Sequence, residues 1–369
     1  MICQNSNINN CIKGPELWDF IYNTNLLADS TSYDWLALNK FSIQQGISAI
    51  VWDNIQQAVL TNKLTQEQQP SKAIKLQWAL AVENIVRQYH HRKKLSVEIA
   101  DIWEREGIKT YGLKGWALST YYPKPELREC GDFDCWIGDD FHRGNQIAIA
   151  NGAKFDPHDY RHSHIHYKGL TIENHRYFLP IRGNSRNKRL EQYLQAVIPY
   201  DKRIENSSIY YPSPQFHALF IILHMLQHFL YENITLRHLL DWTYFVNAEK
   251  DNIDWREFNL KCEEAGASRF VDAINSICVE HFGLNIDGTL LNTDNRYAEK
   301  ILSDTLEQSS LHISSVQTLW RQRYMKVKNI VAQRWKFNEI YDRNFIRSMA
   351  QSSVGIILER NPKLYPLEF

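Results

Sequence analysis

The segment from residue 111 to residue 138 constrains the fold of this 369-residue chain more than any other, because it combines a glycine-ended turn with a pair of aspartates. Its second half reads G-D-F-D-C-W-I at 131–137, and apolar residues bounded by glycines predict a buried strand. Side chains alternate along a strand, so Asp132 and Asp134 share one face, with Cα atoms about 6–7 Å apart. Two such carboxylates repel each other unless a cation lies between them, and hard oxygen ligands suit Mg²⁺.

The first half of the segment predicts a phosphate-binding turn. Leu113, Lys114 and Gly115 form a short run that ends in glycine, and residues 116–122 favour about two turns of helix. Glycine at a strand-to-helix junction lets a phosphate approach the backbone, and free N–H groups at the helix start attract an anion. An isolated D-x-D is most often a solvated strand end. The combination of both halves in one strand–helix–strand unit is more specific.

Four short elements occur here in an order that resembles a known family. They are L-K-G at 113–115, Y-P at 122–123, L-R at 127–128 and G-D-F-D at 131–134. In this order they resemble the uncharacterised bacterial nucleotidyltransferase family of the DNA-polymerase-β superfamily. A histidine-bearing apolar helix and an L-R-x-L-x-D helix at 236–241 extend the resemblance over residues 75–265.

The resemblance implies an α+β fold in which a small mixed sheet with helices forms a nucleotidyltransferase core between all-helical flanks. It also implies an enzyme that transfers a nucleoside monophosphate from an NTP to an acceptor hydroxyl and releases pyrophosphate, using Mg²⁺ or Mn²⁺. Asp132 and Asp134 would bind the metal and act in catalysis, and Lys114, Gly115 and Arg128 would bind the triphosphate. The acceptor, a small molecule or a protein, is not indicated by any motif.

One departure from the superfamily keeps a second function open. Most members place Gly-Ser in the phosphate loop, whereas Trp116 follows Gly115 here. A nucleotide-binding or regulatory module without turnover is therefore an alternative. A third is an RNA-directed transferase, since aromatic residues alternate with basic ones at 319–347 and could stack on a single strand. A buried amphipathic helix explains that stretch better.

Residues 162–175 predict a β-hairpin that supplies a third carboxylate. With Lys168 and Gly169 as a two-residue turn, His164 faces Glu173 and His162 faces His175. Cross-strand partners share a face, so one side of the hairpin presents histidines, a threonine and Glu173, and the other side is mainly apolar.

The resembled family carries a similar E-x-H element after its D-x-D, which favours Glu173 over Asp156 and Asp159 as the third catalytic and metal-binding carboxylate. His175 would then orient Glu173 or contact phosphate. A zinc site among the histidines is the alternative. We disfavour it because histidines at alternate strand positions are expected to lie too far apart for one tetrahedral ion.

Composition bounds the remaining possibilities. Lysine plus arginine equals aspartate plus glutamate at 42 each, so the chain has no bulk attraction to nucleic acid or membrane. Six scattered cysteines without a C-x-x-C pair indicate a reducing compartment. No apolar stretch approaches eighteen residues. We therefore expect a soluble cytoplasmic protein.

Three regions are predicted along the chain: an N-terminal helical region at 1–107, the α/β core at 108–212 and a C-terminal helical domain at 213–369. The longest helix is predicted at 72–106, and the first two strands at 108–111 and 132–137. A basic loop that could reach a triphosphate or lie exposed contains Arg182, Arg186, Lys188 and Arg189. His224 and His228 lie one helical turn apart, which suits packing better than zinc binding.

Overall fold

The structure is a computed structural model that describes residues 33–156, 160–182, 184–287, 296–307 and 334–341. The helical pattern at 17–21 and most of the basic and aromatic stretch at 319–347 lie outside these residues. The described part has the α+β fold that the resemblance implies, with a six-stranded mixed sheet among helices.

Among the described residues, three helices precede the sheet, in the region where the sequence pattern predicts helices. They are α1 (Trp35–Gln44), α2 (Ser48–Leu60) and α3 (Lys72–Arg105). The 34-residue α3 starts after Ser71, whose side chain accepts a hydrogen bond from the Ile74 amide. The indole of Trp78 in α3 donates to the Ser48 backbone carbonyl at 3.1 Å, and this contact ties α3 to the start of α2.

The sheet has the strand order β3-β4-β5-β2-β1-β6. Its strands are β1 (Thr110–Gly112), β2 (Phe133–Trp136), β3 (Lys154–Asp156), β4 (His162–Tyr167), β5 (Leu170–His175) and β6 (Ile209–Tyr210). β2 is the central strand: it pairs parallel with β5 and antiparallel with β1. Helix α4 (Trp116–Ser119) lies between β1 and β2 in the chain, and helix α5 (Phe141–Ala150) lies between β2 and β3.

Two predicted boundaries move by a few residues. β1 begins at Thr110 rather than at 108, because the Ile108 amide donates to the Trp103 carbonyl at 3.0 Å and so belongs to the end of α3. α4 ends at Ser119 rather than at 122. A proline follows Tyr122, and proline disfavours helical backbone at the residue before it.

The hairpin of β4 and β5 has the predicted register, with His162 opposite His175 and His164 opposite Glu173. Lys168 and Gly169 have φ of 48° and 89°, and positive φ at both positions is what a tight two-residue turn requires. The prediction of one polar and one mainly apolar face is confirmed, because Ile165, Tyr167, Leu170 and Ile172 are all buried.

Two polar residues on the apolar face of the hairpin have a buried partner. The Ser163 hydroxyl and the Asn174 amide both donate to the side-chain oxygen of Asn145 in α5, each at 2.9 Å. This small network fixes α5 across the hairpin, since a buried polar group without a partner would be costly. The opposite face is left to the candidate site.

Helix α6 (Ser185–Val197) lies between β5 and β6 in the chain. In the described part after β6 the helices are α7 (Pro214–Tyr231), α8 (Leu236–Glu249), α9 (Trp255–Ala265), α10 (Ser268–Phe282) and α11 (Arg296–Glu307), with a short π-helix at Lys336–Ile340. The predicted basic loop is in fact mostly the first turns of α6, because Asn184 caps the helix by accepting from the Asn187 amide. Arg189 pairs with Glu264 of α9 at 3.3 Å, and Arg182 lies over the Tyr160 ring.

Two apolar clusters form the core. The larger joins α1 and α2 to the helices after the sheet, and the smaller lies between the sheet and the C-terminal half of α3. Leu113 and Leu118, on either side of the predicted phosphate turn, belong to the larger cluster. The three-region division at 107 and 212 stays a prediction.

A buried ion pair joins the D-x-D segment to the helices after the sheet. Arg128 Nε and Nη2 donate to the two carboxylate oxygens of Asp241 in α8, at 2.6 and 2.8 Å. Both residues are 3% exposed, and the Tyr122 hydroxyl donates to the same carboxylate at 2.6 Å. The remaining Nη1 of Arg128 donates to the Gly115 carbonyl at 3.0 Å, so the pair also holds the turn.

Replacing Arg128 by methionine is expected to lower the free energy of unfolding by about 3–5 kcal/mol, because Asp241 would keep a buried charge without its partner. Urea unfolding measures the change. The double variant Arg128→Met, Asp241→Leu removes both charges and should recover much of the loss. A double variant less stable than Arg128→Met alone would contradict this account of the pair.

Candidate active site

Two carboxylates from neighbouring strands meet at the polar face of the sheet. β2 and β5 run parallel with Asp134 opposite Glu173, so both side chains leave the sheet on the same side. Ligand atoms of Asp134, Glu173 and His175 all lie within 4.8 Å of one another. Asp134 is 3% exposed, whereas the Glu173 side chain is 22% exposed and so is more accessible to solvent.

Asp132 lies immediately before β2 and is exposed to solvent. Its side chain is not part of a close three-residue cluster among the described residues. Its charge nevertheless raises the pKa of Glu173, which indicates that the two carboxylates are near each other. The structure thus brings Asp134 and Glu173 into direct proximity and leaves Asp132 at the open edge of the same group.

The two strand carboxylates have opposite electrostatic environments. Burial, reinforced by the negative charges of Asp134 and Asp132, raises the pKa of Glu173 to about 8. Burial also opposes ionisation of Asp134, but the Lys114 charge and a hydrogen bond from His175 outweigh it and hold the pKa of Asp134 below its usual range. A carboxyl that is kept protonated by like charges is one that a divalent cation would ionise, so the residues fit a metal bound through oxygen.

His175 is buried beside Asp134. Its Nε2 lies 3.1 Å from Asp134 Oδ1 and 3.9 Å from Glu173 Oε2, and the residue is 5% exposed. The imidazole packs against Phe178 and Phe220, which keep its ring in place. Both roles predicted for His175, orienting Glu173 and contacting a phosphate, stay predictions.

Lys114 brings a positive charge to the carboxylates. Its Nζ lies 3.4 Å from Nδ1 of His224 in α7, and its charge is the main favourable influence on the Asp134 carboxylate. Burial and the neighbouring Lys114 lower the pKa of His224 well below its usual range, so its ring is neutral and can accept from the ammonium group. Sequence reasoning considered His224 only as a packing or zinc residue. Its spacing to Lys114 is visible only in three dimensions.

The packing of the turn explains why a glycine is needed at position 115. Gly115 has φ of 65°, and a Cβ there would lie 2.6 Å from the Asp132 carbonyl oxygen. Next to it, the Leu113 amide donates to the Asp134 carbonyl at 2.9 Å. Gly115 is needed so that the turn can pack against the backbone of the D-x-D segment. Close approach of a phosphate to Gly115 stays a prediction.

Arg128 does not reach the cleft. Its three nitrogens donate to Asp241 and to the Gly115 carbonyl, and the side chain is almost completely buried. A triphosphate would have to displace these bonds to contact it. In this structure Arg128 holds the turn through the Gly115 carbonyl, and the triphosphate contact that the resemblance implies stays a prediction.

The histidines of β4 lie closer together than the sequence led us to expect. Nε2 of His162 and Nε2 of His164 are 3.0 Å apart, and ligand atoms of both lie within 4.8 Å of a Glu173 oxygen. The two rings stack with centroids 4.9 Å apart. By contrast, no third ligand joins His224 and His228 among the described residues.

One of three comparisons with known proteins identifies a family. A model of the family described as uncharacterised nucleotidyltransferase matches residues 31–283, which is more than half of the chain. The protein belongs to this nucleotidyltransferase family. Searches of curated proteins and of solved structures gave no match. Within the described part of the chain, no helix has the length and apolar character needed to cross a membrane.

Gly115→Ala is expected to lower the free energy of unfolding by about 1–3 kcal/mol, because a side chain at this positive φ is strained and its Cβ would meet a backbone oxygen. Displacement of the D-x-D backbone by the added Cβ should also weaken binding of Mn²⁺ to the carboxylates. Gly131→Ala is the matched control, since nothing lies within 4 Å of a Cβ there. Equal effects of both substitutions on stability and Mn²⁺ affinity would refute the packing role of Gly115.

Metal affinity is expected to depend on pH through Glu173. Its pKa of about 8 leaves it mostly protonated at pH 7, and a metal must displace that proton. Affinity for Mn²⁺ should therefore rise about tenfold per pH unit up to pH 8 and then level off, with about one proton released at pH 7. Calorimetry in buffers of different ionisation enthalpy measures this release. Glu173→Gln should remove it, and an affinity that is flat from pH 7 to 9 would be inconsistent with the raised pKa.

Proposed function

We propose that the protein transfers a nucleoside monophosphate from an NTP to an acceptor hydroxyl with release of pyrophosphate, in a reaction that depends on Mg²⁺ or Mn²⁺. The observation that carries the proposal is the meeting of Asp134 and Glu173 on parallel neighbouring strands, in a member of a nucleotidyltransferase family. Paired carboxylates beside a lysine match the chemical needs of a metal–triphosphate complex.

Asp132, Asp134 and Glu173 would hold the metal, with Asp132 at the solvent edge where a metal–nucleotide complex can enter. A bound divalent metal neutralises charge on the triphosphate and favours ionisation of the acceptor hydroxyl. His175 keeps Asp134 in a fixed orientation through its 3.1 Å contact. The Lys114 ammonium, held by His224, is available to phosphate oxygens as a point charge.

The transfer itself needs little covalent participation by the protein. The acceptor oxygen forms a bond to the α-phosphorus, the bond from that phosphorus to the pyrophosphate oxygen breaks, and the hydroxyl proton is released to solvent. Positioning and electrostatic stabilisation supply the rate increase in such reactions. The buried Arg128 and Asp241 contribute indirectly, because they hold the turn that carries Lys114.

Incubation with each labelled NTP and Mg²⁺ or Mn²⁺, with pyrophosphate release and self-labelling as readouts, tests the proposal. Asp134→Asn and Glu173→Gln are each expected to lower turnover by at least about 100-fold, since each removes a charged ligand. Lys114→Ala should raise the apparent constant for NTP more than that for the acceptor. Lys109→Ala is the control, because Lys109 is exposed and pairs with Asp201.

A protein that binds NTP with metal but releases no pyrophosphate with any of the NTPs, and labels neither itself nor an added acceptor, would be a nucleotide-binding module. That result would overturn the proposal of transfer. Full activity of Asp134→Asn would overturn the metal-binding role of the strand carboxylates.

A further inference from the structure

The polar face of the hairpin contains a group of nitrogen and oxygen ligands beside the carboxylate pair. His162, His164 and Glu173 offer one ligand atom each, and these atoms lie within 4.8 Å of one another. This group shares Glu173 with Asp134 and His175 but has a different chemical character, since two of its three ligands are imidazoles.

We infer that His162, His164 and Glu173 form a second metal site, which takes a transition metal of the Zn²⁺ or Co²⁺ type rather than Mg²⁺. The proposed nucleotidyl transfer is not needed for it, because metal binding can be measured without NTP. Imidazole nitrogen is a preferred ligand of zinc and its neighbours, whereas Mg²⁺ prefers carboxylate, water and phosphate oxygens.

The distances between the ligand atoms suit a tetrahedral ion. Bonds of about 2.0–2.1 Å to zinc separate neighbouring ligand atoms by roughly 3.3 Å. Here the two Nε2 atoms are 3.0 Å apart, and His164 Nε2 lies 3.4 Å from Glu173 Oε1. His162 Nε2 lies 3.9 Å from Glu173 Oε2. Small movements of these side chains would bring all three to one ion.

Both imidazoles present the same nitrogen to this point. Their Nε2 atoms are 3.0 Å apart, closer than the ring centroids at 4.9 Å, so the two rings bring the same nitrogen toward one place. A metal ion could bind both nitrogens as well as the carboxylate.

Glu173 lies between the two groups and can contribute to both. His164 approaches its Oε1, whereas His162 and His175 both approach its Oε2. The side chains of His164 and Glu173 are 33% and 22% exposed, so water or a substrate oxygen can reach the fourth position. Three protein ligands with an open fourth position are typical of zinc sites that act on a substrate.

The hairpin contains a matched control. His166 lies two residues after His164 on the same strand and face, but its partner is Thr171, and it does not belong to either group of possible ligands. Removing His166 therefore changes the histidine content of this face without removing a proposed ligand.

Titration of the metal-free full-length chain, without a polyhistidine tag, with Co²⁺ tests the site. The visible absorption of four-coordinate Co²⁺ is expected at one equivalent and should persist in millimolar Mg²⁺. His162→Ala and His164→Ala should each weaken Co²⁺ binding by more than about 100-fold, since loss of even an outer partner of a ligand costs 10–100-fold. His166→Ala and Asp134→Asn should retain the bands.

Absence of these bands in the unmodified chain would overturn the site, as would bands that survive in both His162→Ala and His164→Ala. Bands lost in Asp134→Asn but kept in the histidine variants would also overturn it, because the ion would then belong to the carboxylate pair. Circular dichroism of the metal-free variants identifies loss of fold. If His162→Ala does not fold, the more exposed His164 provides the decisive variant.

Discussion

The buried ion pair of Arg128 and Asp241 is the interaction on which the rest of the site depends. An isolated charge in the interior would be strongly unfavourable, but here both carboxylate oxygens are bonded to the guanidinium and one also accepts from Tyr122. The last guanidinium nitrogen holds the Gly115 carbonyl. One planar side chain thus connects the segment before β2, the turn after β1 and helix α8. The turn that carries Lys114 keeps its position against β2 as a result.

At the site, the carboxyl groups of Asp132, Asp134 and Glu173 lie near the single ammonium group of Lys114. Asp134 stays ionised because Lys114 and His175 lie beside it, whereas the nearby Glu173 is pushed toward its protonated form. Burial disfavours ionisation of both carboxyls, and their charged and hydrogen-bonding partners decide which one ionises. A divalent cation would relieve this repulsion. The same repulsion between carboxyl groups raises the pKa of Glu173 in the metal-free protein and supports the proposed need for a metal.

The hairpin adds a second set of ligands to the same face. Its strict alternation directs histidines and Glu173 to the cleft and apolar residues to α3 and α5. Asn145 accepts a hydrogen bond from each of the two polar side chains on the apolar side, those of Ser163 and Asn174. The polar face of the hairpin therefore carries imidazoles next to the carboxylates. Glu173 belongs both to the group with Asp134 and to the group with His162 and His164.

Sequence patterns alone predict the local features. These are the long helix before the sheet, the strand that carries Asp134, the tight turn at Lys168 and Gly169, and the register that places Glu173 on the polar face of the hairpin. These follow from short-range periodicity and turn chemistry, which neighbouring residues dictate. Tertiary structure decided what those features contact. Arg128 and Asp241 both stood in recognisable motifs, yet 113 positions separate them and no local pattern indicates that they pair. The same holds for Lys114 and His224 and for the Asp132 carbonyl that requires Gly115, because each depends on how distant elements pack.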